Sequence, residues 1–159
     1  KMKKIMLTSL FAILISSCNN VNPKEIPNEV IVIVELIKNK EKSQEELKEF
    51  TKRYSDYVKS TESNTLGWTY HDAGDMIIMI ERYKNEDANI VTAKNISPGG
   101  NRYKLLQESF KYYTLGKVTV IGGFTQKLID FNKMTAEKVG FTAPFVYYPL
   151  ISGYSKNLR

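Results

Sequence analysis

The chain of 159 residues has one cysteine, one histidine and one tryptophan. A lone cysteine excludes an intramolecular disulfide, so folding must depend on burial of an apolar core. One histidine and one cysteine leave no cluster with metal-ligand spacing and no Ser-His-Asp or Cys-His arrangement that can be assembled with assurance. Runs of lysine and arginine interleaved with aromatic residues are also missing, which argues against a nucleic-acid partner.

Long apolar runs are scarce too, and the most apolar stretch occupies only residues 5–15. A membrane-spanning helix needs roughly 20 apolar residues, so this stretch is too short to be one. It follows a short basic head and precedes small residues, which is the pattern of a secretory signal peptide. We therefore expect residues 1–17 to be a signal peptide.

The segment Ile15-Ser16-Ser17-Cys18 is similar to the lipobox of bacterial lipoproteins. The resemblance implies that the thiol of Cys18 receives a diacylglycerol and that Cys18 becomes the new N-terminus. Residues 18–28 are then a lipid-anchored tether, residues 29–159 are one domain, and the protein is held at a membrane of the bacterial cell envelope. The alternative is a plain signal peptide followed by a chance cysteine.

The first half of the domain has clear strand and helix signals. Residues 29–38 are rich in β-branched residues and predict a strand that is apolar on both faces. Ser43, with Glu46 three residues later, predicts a helix that opens with a capping box. Residues 64–72 and 76–83 flank a short Ala-Gly-Asp turn and predict a β-hairpin.

The second half predicts more helix, one strand and an extended tail. A helix is expected over residues 85–95, and a second helical piece carries Tyr103, Leu106, Phe110 and Tyr113 on one side. Residues 117–121 predict a strand. A helix over residues 126–138 then ends at Gly140, before an extended tail.

This order, β-α-β-β-α-(α)-β with a further helix and strand, predicts an α+β fold of the ferredoxin-like type. The sheet is expected to be antiparallel, with helices on one face only. Because the first strand is apolar on both faces, the uncovered face needs a second copy of the chain. A symmetric homodimer packed sheet against sheet is therefore expected.

Several short stretches resemble the antibiotic biosynthesis monooxygenase (ABM) family, in its quinol-monooxygenase-like branch. The resemblance implies a dimeric α+β barrel and oxidation of a small aromatic or quinol-like molecule without a cofactor. The stretches that carry it are residues 62–68 (ESNTLGW), 81–83 (ERY), 86–88 (EDA), 120–122 (VIG), 147–150 (YYPL) and 152–154 (SGY).

One position departs from that family. Many members have a histidine four residues beyond the alanine that matches Ala88, whereas this chain has Thr92. The haem-degrading relatives lose their axial ligand without it, and cofactor-free relatives lose a base. No haem, metal or other cofactor is therefore expected.

Candidate site residues follow from the hairpin and the tail. His71 is a candidate for proton transfer near neutral pH, or a surface histidine beside a turn. Trp68 and Tyr70 are candidates for the wall of an aromatic pocket, or ordinary packing residues. Arg82 and its neighbour Glu81 are candidates for orienting a ligand or for an ion pair at the strand end, and Tyr148 is a candidate for contact with an aromatic ligand.

Two functions remain open at this point. The first is a membrane-tethered, cofactor-independent monooxygenase that acts on a small aromatic or quinol-like molecule. The second is a non-catalytic lipoprotein that uses the same barrel to bind a small ligand or a protein partner; the missing family histidine favours this alternative.

Overall fold

The computed structural model describes residues 28–153, which form five strands and four helices. The predicted signal peptide, Cys18 and the rest of the predicted tether before residue 28 lie outside the described residues. The elements are, in chain order, β1 (Val30–Lys38), α1 (Gln44–Thr61), β2 (Thr65–Ala73), β3 (Met76–Tyr83), α2 (Glu86–Asn95), α3 (Tyr103–Ser109), β4 (Tyr113–Gly122), α4 (Gln126–Val139) and β5 (Phe145–Pro149).

The strands form one sheet in the order β2-β3-β1-β4-β5. The first four are antiparallel, as in the ferredoxin-like pattern, and β5 joins the edge parallel to β4. The predicted α+β fold with a C-terminal helix and strand is confirmed, although the fifth strand makes the sheet mixed. A parallel neighbour of β4 is possible because α4 returns the chain to the starting end of that strand.

The core lies between the helices and one face of the sheet. Alternate residues of β1, beginning at Val30 and ending at Leu36, point toward the helices and are almost completely buried. Helix α1 covers them with a stripe of buried residues at helical spacing: Leu47, Phe50, Tyr54 and Val58. The helix opens with the predicted capping box, because the Ser43 hydroxyl accepts the Glu46 N–H and the Glu46 carboxylate accepts the Ser43 N–H.

The other face of the sheet carries an apolar stripe, which we call the open face. Register places Ile33 opposite Ile80, and Ile31 opposite Ile121. These side chains are half-buried, and Ile37 at the end of the stripe is 48% exposed. Helices of the same chain cover the opposite face, so this stripe is the surface on which the expected dimer depends.

The position of Tyr113 differs from the sequence prediction. Tyr113, predicted on a helix, starts β4 opposite Lys38, because the chain turns at residues 110–112 after α3 ends. Its spacing from Phe110 also fits a helix, and tertiary pairing with β1 decides its conformation.

Among residues 28–153, no helix is long and apolar enough to cross a bilayer.

Candidate functional site

A cavity of about 120 Å³ lies between the helix-facing side of the sheet and the helices. An engineered apolar cavity of roughly 150 Å³ holds a benzene molecule, so this space suits about one aromatic ring. Most of its wall is apolar. The wall residues include Val32, Val34, Leu36, Met79, Ile96, Leu106, Phe110, Leu115, Val118, Phe141 and Phe145.

Trp68 forms an aromatic part of this wall. Its ring stacks on that of Tyr54, with ring centroids 5.9 Å apart and planes inclined by 18°. The guanidinium of Arg102 also lies over the indole, 5.0 Å from the ring centroid. The indole Nε1 is buried and has no hydrogen-bond partner among the described residues.

Arg102 is a fully buried cation at the wall of the cavity, with 2% of its surface exposed. Its Nη2 donates to the carbonyl of Thr92 at 3.2 Å, and its Nη1 lies 3.5 Å from Oε1 of Glu62. Within the described part of the chain, Nε and Nη1 have no hydrogen-bond partner. Buried N–H groups of an arginine are rarely left in this state, so these two donors are available to a ligand.

The counter-ion of Arg102 is shared with other groups. Glu62 ends helix α1 and is buried. Its carboxylate accepts hydrogen bonds from the Thr92 hydroxyl at 3.1 Å and from the Asn95 amide at 2.9 Å. Because Glu62 is occupied by these donors, it neutralises Arg102 without satisfying all of its N–H groups.

Glu81 is the second carboxyl of the site and lies on β3, between Val32 and Trp68 in register. The Tyr83 hydroxyl donates to its Oε2 at 2.5 Å. Among residues 28–153 no lysine, arginine or histidine forms an ion pair with it. Burial raises the pKa of Glu81 to about 7, although the Tyr83 hydrogen bond and Arg102 act in the opposite direction.

Of the residues proposed from sequence, Trp68 and Tyr70 lie on the cavity side of the sheet. Tyr70 packs against the core and, unlike Trp68, does not line the cavity; its buried hydroxyl has no hydrogen-bond partner among the described residues. Burial raises the pKa of Tyr70 well above its ordinary value, so the hydroxyl stays protonated. The structure therefore brings these two proposed residues to one face.

Three other proposed residues lie elsewhere. His71 is exposed on the open face, where its Nε2 is 2.9 Å from the Thr69 hydroxyl. Arg82 points away from the cavity, and its Nε donates to Oε1 of Glu29 at 2.6 Å. Tyr148 is 57% exposed on β5. None of the three contributes to the wall of the cavity.

Arg102 and Asn89 are polar wall residues that had no place in the sequence-based site, and Glu81 was expected only beside Arg82 at the strand end. Alternation along β3 was a usable signal for Glu81, since the buried Tyr83 and Ile77 are two and four residues away from it on the same face. Arg102 follows the Pro-Gly-Gly break, and no sequence period fixes its direction. In the described part of the chain, no three His, Cys, Asp or Glu residues cluster as metal ligands do.

Comparison with known proteins gives a likeness of fold. The chain is similar to the crystal structure of MupZ from Pseudomonas fluorescens, with a TM-score of 0.56 and 16% identity over 82% of this chain and 96% of that one. It is also similar to a mutant of SnoaB, a cofactor-independent oxygenase from Streptomyces nogalater, with a TM-score of 0.49 and 13% identity over 62% and 92% of the chains. No protein-family model and no curated protein matches the sequence.

Proposed function

We propose that the cavity binds a single-ring aromatic molecule that carries a hydroxyl group. The observation that supports this most is the set of unpartnered polar atoms at an apolar cavity: Trp68 Nε1, Arg102 Nε and Nη1, and Asn89 Oδ1. Leaving such atoms unsatisfied costs free energy, which a ligand oxygen recovers. A hydroxyl accepts from the indole or guanidinium and also donates to the amide oxygen, so it suits both kinds of atom.

The reaction that we propose is oxidation of such a ligand by molecular oxygen without a cofactor, as the ABM resemblance implies. A hydroquinone and O₂ give a hydroxyquinone and water, with all electrons supplied by the substrate. The protein would contribute a water-poor pocket in which the ring is held beside a cation that favours the ionised hydroxyl. Trp68 and Arg102 are the residues placed to do this.

The second candidate is binding of the same ligand without turnover. It is favoured by Thr92, which stands at the position of the family histidine and lines the cavity. Its hydroxyl is already engaged with Glu62 and is too weak an acid or base to replace an imidazole.

Oxygen consumption with a panel of quinols and polyphenols tests both candidates. Uptake that falls at least tenfold in Trp68→Ala and is unchanged in His71→Ala supports oxygenation in the cavity, because of these two residues only Trp68 lines the cavity. A thermal shift with quinols but no oxygen uptake supports binding alone. No shift and no uptake with the whole panel contradicts the proposal, and loss in His71→Ala alone moves the site to the open face.

The location of the protein is a separate proposal. We propose that it is tethered to a bacterial membrane through an acylated Cys18, because the segment Ile15-Ser16-Ser17-Cys18 is similar to the lipobox of bacterial lipoproteins. Labelled palmitate should be incorporated into the intact precursor and lost in Cys18→Ser. Incorporation that persists in Cys18→Ser would contradict this assignment.

A further inference from the structure

Glu81 is a half-buried carboxyl that faces the cavity with a single hydrogen bond, and the ligand-binding argument above does not use it. It projects from the inner face of the sheet between Val32 and Trp68. Its sequence neighbour Arg82 points to the opposite face and pairs with Glu29. The carboxyl is therefore left with one donor, Tyr83, and further acceptor positions remain.

The charged and titratable groups around Glu81 come from every element that packs on it. Tyr83 lies on the same strand, Arg102 precedes α3 and Glu62 ends α1. Tyr54 of α1, Tyr70 of β2 and Tyr113 of β4 also sense its charge.

Burial keeps the tyrosine hydroxyls of this group neutral, because it raises the pKa of each: Tyr54 to about 12, and Tyr70, Tyr83 and Tyr113 above their ordinary values. Arg102 remains a cation. A pKa of about 7 makes Glu81 the member of the set whose burial-shifted ionisation falls near neutrality. The cavity wall therefore holds a proton acceptor, Glu81, and a fixed positive charge, Arg102, which lies over the indole of Trp68.

We propose that Glu81 selects hydroxyl-bearing aromatic ligands by accepting the hydrogen of the ligand's hydroxyl, while Arg102 stabilises the negative charge that develops on its oxygen. This inference rests on the proposed function, since it requires an aromatic ligand in the cavity. When the proton transfers fully, Glu81 becomes the neutral acid and the ligand becomes the phenolate, so the net charge of the cavity is unchanged. The resulting ring is richer in electrons, which is what oxidation by O₂ requires.

Binding of phenol and toluene to the full chain tests the inference, because the two rings differ by a hydroxyl in place of a methyl group. Calorimetry on the natural chain, on Glu81→Gln and on the surface control Glu137→Gln gives the phenol-to-toluene affinity ratio for each. At about pH 8 we expect this ratio to be roughly tenfold lower in Glu81→Gln, because an ionised acceptor binds a hydroxyl more strongly than an amide does. Glu137→Gln should match the natural chain, since Glu137 is exposed on α4.

The pH dependence of the natural chain is a second measurement that needs no variant. Its phenol-to-toluene ratio should fall as the pH drops through about 7, where Glu81 becomes protonated, whereas the ratio of Glu81→Gln should stay constant. Toluene binding with a ratio that neither the variant nor pH alters overturns the role of Glu81 and leaves the cavity as a binding site. Failure of both probes to bind overturns the role of Glu81 together with the proposed function.

Discussion

The half-buried carboxyl of Glu81, which faces the cavity, links folding to pH. In the unfolded chain this group ionises near its ordinary pKa of 4.5, whereas burial raises the pKa in the folded chain to about 7. Between these two values the unfolded chain releases a proton that the folded chain keeps, so rising pH favours unfolding. The full effect is present above pH 7 and is at most about 3 kcal/mol.

Glu81→Gln removes this penalty, because glutamine keeps the shape and cannot ionise. Relative to the natural chain, the free energy of unfolding of the variant should rise by up to about 3 kcal/mol between about pH 4.5 and pH 8. Urea titrations at several pH values measure it, with Glu137→Gln as the control for loss of a surface charge. A difference that does not change with pH would show that the folded pKa of Glu81 is ordinary.

Gly122 is a second residue whose chemistry the fold requires. Its φ is +122°, and a Cβ atom built there would lie 2.0 Å from the carbonyl oxygen of Glu29. Gly122→Ala should therefore destabilise the domain by about 3 kcal/mol or more, since both the backbone and the contact must be relieved. Gly74→Ala is the matched control.

The control separates the two causes of strain at Gly122. Gly74 also has a positive φ, of 76°, but a Cβ atom at this residue would have nothing within 4 Å. Its substitution should cost about 1 kcal/mol, measured in the same thermal or urea unfolding experiment. Equal losses for the two variants would contradict the steric argument at Gly122.

The candidate site was predictable at the residue scale only where a strand period fixes direction. Trp68 and Tyr70 are two residues apart on one strand, so their shared face follows from alternation. The inward direction of Arg102 was not predictable, because it depends on an irregular turn. In this turn the backbone N–H of Arg102 donates to the carbonyl of Asn95 across the loop. The sequence prediction pairs Glu81 with Arg82 at the strand end, whereas alternation along β3 turns the two side chains to opposite faces.

Among the elements, α1 depends on its capping box. The Ser43 hydroxyl satisfies the Glu46 N–H, which has no partner within the helix. Ser43→Ala should lower the free energy of unfolding by about 1 kcal/mol, measured in urea. Ser55→Ala, in the middle of the same helix, is the control and should be neutral or slightly stabilising, because alanine has the higher helix propensity. Equal effects of the two variants would contradict the capping argument.

Elements with strong local signals were predicted closely. Strand β3 has the predicted bounds, and α4 ends at Gly140 with a φ of 76°, as its glycine predicts. Strand β4 is longer than predicted, because Gly116 interrupts the strand pattern in the sequence while residues 113–115 are held by pairing with β1. The direction of β5 was not predictable, since it depends on where α4 returns the chain.

At the scale of the whole molecule, the open face decides the state of assembly. This face combines half-buried isoleucines from three neighbouring strands, β3, β1 and β4. A contiguous apolar surface of this kind is unusual on a monomer and typical of an interface. We propose that a second copy covers it and forms a homodimer, and this proposal accounts for the two apolar faces of β1 that the sequence shows.

Ile33→Glu tests the homodimer most directly. Ile33 lies at the centre of the open face, opposite Ile80, and is only half-buried in the single chain. In a monomer the charge would remain in water, so the free energy of unfolding should change by about 1 kcal/mol or less. In a dimer each copy would bury an unpaired charge on the two-fold interface, which costs several kcal/mol and should abolish association. Light scattering should show the natural chain at twice its monomer mass and the variant at the monomer mass.

Gln107→Glu adds the same charge at an exposed position of α3, away from the open face, and should remain dimeric. The comparison separates a local effect on the interface from a general effect of net charge. A natural chain that is monomeric at micromolar concentration would rule out the homodimer, and a dimer that persists in Ile33→Glu would place the contact elsewhere. The open face would then be left with its isoleucines in water, and the argument from the two apolar faces of β1 would fail with it.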